Sequence, residues 1–239
     1  MSTAVWRRLV AEFTGTGLLV AIVVGSGVAA TNLTSDAALR LLINSLVTAI
    51  GLAVLILVFM PAGGAQFNPV VTGADWLLGR RTEHRYGIGQ AVAVMVCQMG
   101  GAIAGAALAD AMFHQTLLSP SHKHRTGTPL LLSEVVATAG LLLVIVTLAR
   151  TGRLQHAGWA VGAWIGAAYW FTASTSFANP AVTIGRSLTN TYAGIAPSSV
   201  APFIGAQIIG GALGTVLAAV VHPTRRNQTG ADTQAQLAG

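Results

Sequence analysis

The sequence predicts an all-α membrane protein, with six transmembrane helices and two re-entrant half-helices arranged as an inverted repeat. Three observations support this class. Of 239 residues, 53% are hydrophobic and 8% are charged, with a mean hydropathy of +0.66. An ordinary soluble domain carries about 25% charged residues, so this chain lacks the polar side chains to cover a surface in water. The apolar residues fall into long runs separated by short polar stretches. Finally, an Asn-Pro-x-Val-Thr pattern occurs twice, as Asn68-Pro69-Val70-Val71-Thr72 and Asn179-Pro180-Ala181-Val182-Thr183, each time after a long apolar segment.

A helix needs about 20 residues to cross a bilayer. Runs at 9–30, 39–60, 88–111, 130–150, 157–173 and 198–221 are the predicted spans, the fifth being short. Two stretches, 67–79 and 178–189, are too short to cross, and each carries Asn-Pro near its start. Proline at the first helical turn sacrifices no hydrogen bond, and asparagine before it is a good N-cap. These are the predicted half-helices, which the bilayer allows where they line a wet cavity.

The two halves align. Ala11-Glu12-Phe13-Thr14-Gly15 answers Ser133-Glu134-Val135-Val136-Ala137, and Gln98-Met99-Gly100-Gly101 answers Gln207-Ile208-Ile209-Gly210. The first repeat is 1–111, an outer loop covers 112–129, and the second repeat is 130–221. Three spans per repeat force the second copy to insert upside down. The polar tail 222–239 is expected to be disordered.

Charge placement sets the orientation. Arg7, Arg8, Arg80, Arg81, Arg85, Arg150, Arg153, Arg225 and Arg226 fall on the side of the termini, against Arg40, Lys123, Arg125 and Arg186 on the other. The positive-inside rule therefore places both termini in the cytoplasm of a multi-pass cell-membrane protein. The net charge of +6 does not point to nucleic acid, because these cations lie between apolar runs rather than on one face. Cys97, the single cysteine, reads as a small buried apolar residue. The first apolar run is too long for a signal-peptide core. His122-Lys123-His124 reads as a solvated loop rather than a metal site, since no third ligand accompanies it. Gly15, Gly17, Gly100, Gly101, Gly105, Gly210, Gly211 and Gly214 fit close helix packing.

Opposed half-helices can bring their N-termini together near the midplane. Each end carries unpaired N–H groups and about half a positive charge, which together repel cations. Asn68 and Asn179 then present amides to a passing hydroxylic molecule. Water held this way donates outward in both directions, which interrupts a proton wire.

On these residues the chain resembles the aquaporin (major intrinsic protein) family, over nearly its whole length. Ala11-Glu12-Phe13, Gly64-Ala65-Gln66-Phe67-Asn68-Pro69-Val70 and Phe177-Ala178-Asn179-Pro180-Ala181 carry the likeness. The resemblance implies a pore in each protomer, homotetramers, and no cofactor. It implies a midplane of Asn68, Pro69, Val70, Asn179, Pro180 and Ala181, and buried Glu12 and Glu134 holding loop backbone in place. The plainer alternative for the two glutamates is that they mark span boundaries. Val70 stands where the family usually has alanine, and is expected to narrow or shift the midplane. Val182 stands where the family usually has arginine. Arg186, one helical turn on, is assigned to the outer loop rather than to replacing that guanidinium.

Carried over by spacing, the outer constriction is Ile50, Ala167, Ser176 and Val182. Counting back from Asn68 gives Thr48 instead of Ile50; Ile50 is preferred because the intervening loop looks short. Tyr169 and Trp170 are assigned to packing ahead of the vestibule. Such a small, apolar constriction implies a pore less restricted to water, open to glycerol-like polyols. Arginine-less constrictions with valine resemble those of bacterial members linked to arsenite, a neutral hydroxide. The rival readings are an ion-coupled transporter, which needs ionisable groups along the path, and a closed-pore scaffold. An enzyme is not expected, as neither Asn-Pro site has an acid–base partner.

Overall fold

The computed structural model describes residues 3–79 and 86–223. Arg80, Arg81, Arg85, Arg225, Arg226 and most of the tail lie outside them.

Six long helices form the frame: α1 (Thr3–Leu33), α2 (Ala37–Gly63), α4 (Ile88–Met112), α5 (Thr128–Arg150), α6 (Ala157–Phe171) and α8 (Pro197–Val221). Five of them are long and apolar enough to cross a membrane. The sixth, α6, has 15 residues and is preceded by a 3-10 turn at Leu154–His156. Between them lie α3 (Pro69–Gly79) and α7 (Pro180–Ser187). At 1.5 Å per residue these reach only about 16 and 12 Å, roughly half of a ~30 Å hydrocarbon core.

The repeat is visible in the packing. α1 packs on α4 as α5 packs on α8, and α2 meets α6 between the halves. Both crossings depend on missing side chains. A Cβ at Gly105 would run into the Gly17 carbonyl oxygen, and one at Gly214 into that of Ala139. Each half-helix packs on the other repeat's last helix, α3 on α8 and α7 on α4.

The midplane expectation for Val70 is corrected here. Its Cγ1 occupies the space that a Cβ on Gly211 would need. The larger residue is therefore absorbed between α3 and α8. The aligned pair in the other repeat is Ala181 and Ala102, so extra volume on one partner is matched by a smaller one opposite.

Outward faces are apolar, as in Leu46, Ile50, Val54, Leu57 and Val58 of α2 and Ile209, Leu213, Val216 and Val220 of α8. Polar side chains instead sit inside: Glu12, Thr16, Thr72, Gln98, Glu134, Thr138, Thr183 and Gln207 are fully buried. This inversion suits a lipid surround.

Candidate functional site

α2 is capped by Gly64, whose left-handed backbone (φ 98°) lets its N–H donate to Met60 O. The chain then runs non-helically to Asn68. Ala65 and Phe67 have φ of 46° and 49°; in the second repeat Ser176 and Ala178 have 50° and 49°. Each such non-glycine residue costs ~1–2 kcal/mol, so something must hold it.

The buried carboxylates do so. Glu12 accepts from Gln66 N (2.8 Å) and Phe67 N (2.7 Å), and Glu134 from Phe177 N and Ala178 N (both 2.9 Å). Each also accepts from a glutamine, Gln98 Nε2 at 2.8 Å and Gln207 Nε2 at 2.7 Å. Those glutamines donate in turn to Thr72 and Thr183 in the half-helices. Three charge-assisted bonds per carboxylate satisfy the demand of a buried anion.

The two asparagines lock the loops to each other. Asn68 Nδ2 donates to Ala178 O at 2.8 Å, and Asn179 Nδ2 to Phe67 O at 2.7 Å. Their oxygens cap their own helices: Asn68 Oδ1 accepts from Val70 N, and Asn179 Oδ1 from Ala181 N and Val182 N. One amide hydrogen on each side chain remains for a solute. Pro69 and Pro180 open α3 and α7; they shape the tips and do not line the cavity.

Both asparagines lie on one cavity of about 1440 Å³. On the side of the termini its wall includes Arg8, Gln66, Asp75 and Tyr86; on the opposite, outer side it includes Tyr169, Ser176, Val182 and Arg186. The mouth nearer the termini is a polar cluster. Gln66 Nε2 and the Tyr86 hydroxyl donate to Asp75 Oδ2 at 2.7 and 2.9 Å, and Arg8 donates to Gln66 Oε1.

Two predicted constriction positions are corrected. Ile50 is 57% exposed on the outer face of α2, whereas Thr48, two residues earlier, is buried and lines the cavity. Ala167 is exposed too, whereas Tyr169 is buried on the wall. A step of two residues turns a helix by about 200°, so each miscount selected the wrong face. Ser176 and Val182 do lie on the cavity, and Ser176 Oγ is buried without a partner. Trp170 is half-exposed and donates to Ser45 Oγ at 3.0 Å, joining α6 to α2.

Arg186 meets the outer loops, donating from Nε to Ala193 O at 2.6 Å, but it also lines the cavity. Sequence reasoning missed Arg125, whose Nε donates to Gly194 O and Nη1 to Ser174 O. Nothing in its surroundings in the chain signals this. For Tyr169 a signal existed: Ala157, Val161, Ile165 and Tyr169 fall every four residues on one helix face.

Two opposed half-helices, tied tip to tip on one cavity inside an apolar frame, define a membrane channel. The chain belongs to the major intrinsic protein family, whose model matches residues 1–173. It is 48% identical over 204 residues to aquaglyceroporin AqpS of Rhizobium meliloti (strain 1021), covering 85% of both chains. It is 37% identical over 105 residues to aquaporin C of Dictyostelium discoideum, covering 44% of this chain and 36% of the other. The fold matches the X-ray structure of the aquaglyceroporin from Plasmodium falciparum with a TM-score of 0.67 at 18% identity, covering 92% of this chain and 98% of that one. The protein is a passive transmembrane channel for small uncharged solutes.

Proposed function

We propose that each protomer conducts water and glycerol-sized neutral polyols through the cavity between α2, α6 and the two half-helices, and that trivalent arsenic passes as its neutral hydroxide. The observation that carries this is the pairing of Asn68 and Asn179 on one cavity wall, with Val182 rather than a guanidinium beside the outer tip. Two amide donors suit a hydroxyl oxygen, and the apolar Val182 eases desolvation of carbon-bearing solutes. The constriction is Thr48, Tyr169, Ser176 and Val182. The name aquaglyceroporin borne by a 48% identical relative supports the same solute class.

The working form is a homotetramer in the cell membrane with both termini cytoplasmic. Arg7, Arg8, Arg150 and Arg153 on the side of the termini support that orientation. Glu12 and Glu134 are saturated with N–H donors, which leaves them poorly suited to bind a coupling ion. The test is a paired flux assay on purified protein in liposomes, with water, glycerol and arsenite. All three should move faster than in empty liposomes, without response to a proton gradient. Glycerol and arsenite at the background rate would overturn the polyol reading and leave a water channel.

A further inference from the structure

The outer mouth holds two buried guanidinium groups that form no ion pair among the described residues, although the Glu134 carboxylate is near enough to act on both through space. Arg186 is 2% exposed. Its Nε donates to Ala193 O at 2.6 Å, and its Cζ lies 3.4 Å from the Phe177 ring centroid. Neither of its terminal amino groups meets an acceptor among the described residues, although the side chain lines the cavity. Arg125 reaches the same ring from the outer loop, with its Cζ 4.9 Å from the centroid. Among the described residues the one ion pair, Arg8 with Asp75, is at the far end of the cavity. An unpaired buried cation is costly to keep. A loop anchor needs only the Nε bond, which a neutral donor could supply.

Phe177 fixes where this charge sits. It is the second residue before Asn179, and its neighbour Ser176 offers an unpartnered hydroxyl on the same wall. The guanidinium stacked on that ring is one helical turn from Val182, on a cavity wall that also carries Ser176 and Tyr169. These polar side chains are guanidinium donors and hydroxyls. They suit the oxygens of a neutral polyol or hydroxide and repel any cation.

We propose that Arg186, stacked on Phe177 and reinforced by Arg125, is the cation-excluding residue of this pore, carrying from one turn deeper in α7 the charge that position 182 lacks. The assignment rests on the reading of the cavity as the conducting path.

The test uses full-length protein in liposomes, reading neutral flux by light scattering and cation leak by proton- and sodium-sensitive dyes. Arg186→Gln keeps a donor for Ala193 O and removes the charge; Arg186→Lys keeps the charge. The Gln variant should leak cations on the order of 10- to 100-fold faster than the parent, measured relative to its own glycerol flux. The Lys variant should remain tight, and Val182→Arg added to Arg186→Gln should restore exclusion. Equal tightness of the Gln and Lys variants, or failure of both to fold, would make Arg186 a loop anchor and overturn the proposal. Absence of glycerol flux in the parent would instead strike the conducting-path reading.

Discussion

The hydroxyl of Tyr169 on α6 donates to Thr48 Oγ1 on α2 at 3.3 Å, a buried polar bridge between the two repeats on the wall of the cavity. It supplies an aromatic ring where an alanine is expected from spacing, and a hydroxyl where an isoleucine is. Tyr169→Ala removes ring and bridge together. The glycerol-to-water permeability ratio should rise roughly 3- to 10-fold, the effect of lowering a steric barrier by about 1 kcal/mol. Ile50→Ala, on the outward face, should leave the ratio unchanged. Stopped-flow light scattering on both variants checks this, and a reversed ranking would put the constriction elsewhere.

What was legible in the sequence follows from what has a period. Spans are legible because the bilayer demands about 20 apolar residues, and the half-helices because Asn-Pro occurs twice in matching places. The aligned glutamates were legible for the same reason. Of the proposed constriction, Ser176 and Val182 were legible by their spacing from Asn179, whereas Thr48 and Tyr169 were not, because they sit on helices joined to the Asn-Pro motifs by loops of unpredictable length. Tyr169 lies ten residues before Asn179, where twelve were counted. Arg125 was invisible because its partners, Gly194 and Ser174, are 69 and 49 residues away in the chain.

Glu12 and Glu134 each hold two backbone N–H groups and one amide, so they should be equally sensitive. Glutamine in their place would turn an N–H toward donors that need an acceptor. Each of Glu12→Gln and Glu134→Gln should lose about 2–4 kcal/mol, with relaxation of the left-handed residues they support. Thermal unfolding in detergent reads the loss. A neutral outcome for either would mean that its loop is held by other contacts.

Val70 and Gly211 form a volume pair. Gly211→Ala should destabilise by about 1–3 kcal/mol, because its methyl meets Val70 Cγ1. Val70→Ala in the same chain should recover much of that loss, giving a coupling energy above about 1 kcal/mol in a double-mutant cycle. Additive effects would show that α3 and α8 adjust independently.

Lys123 gives the outer loop a pH response. Its Nζ donates to Tyr192 O at 2.9 Å, and the ammonium is pushed down to about 8, by burial first and then by Arg125 and Arg186. Tyr192 beside it is pushed upward by burial, so its phenol stays neutral in this range. The unfolded loop, with lysine near 10.4, binds more protons than the docked loop between about pH 8 and 10. Docking is therefore penalised in full below pH 8 and strengthens as pH rises through that window. The side chain keeps partial access to solvent, which makes the change small. Hydrogen exchange at Ala196 N–H, which donates to Lys123 O at 2.8 Å, should show greater protection at pH 9.5 than at pH 7 after correction for base catalysis. Lys123→Met should abolish the difference, and the same pH trend in that variant would assign it to another group.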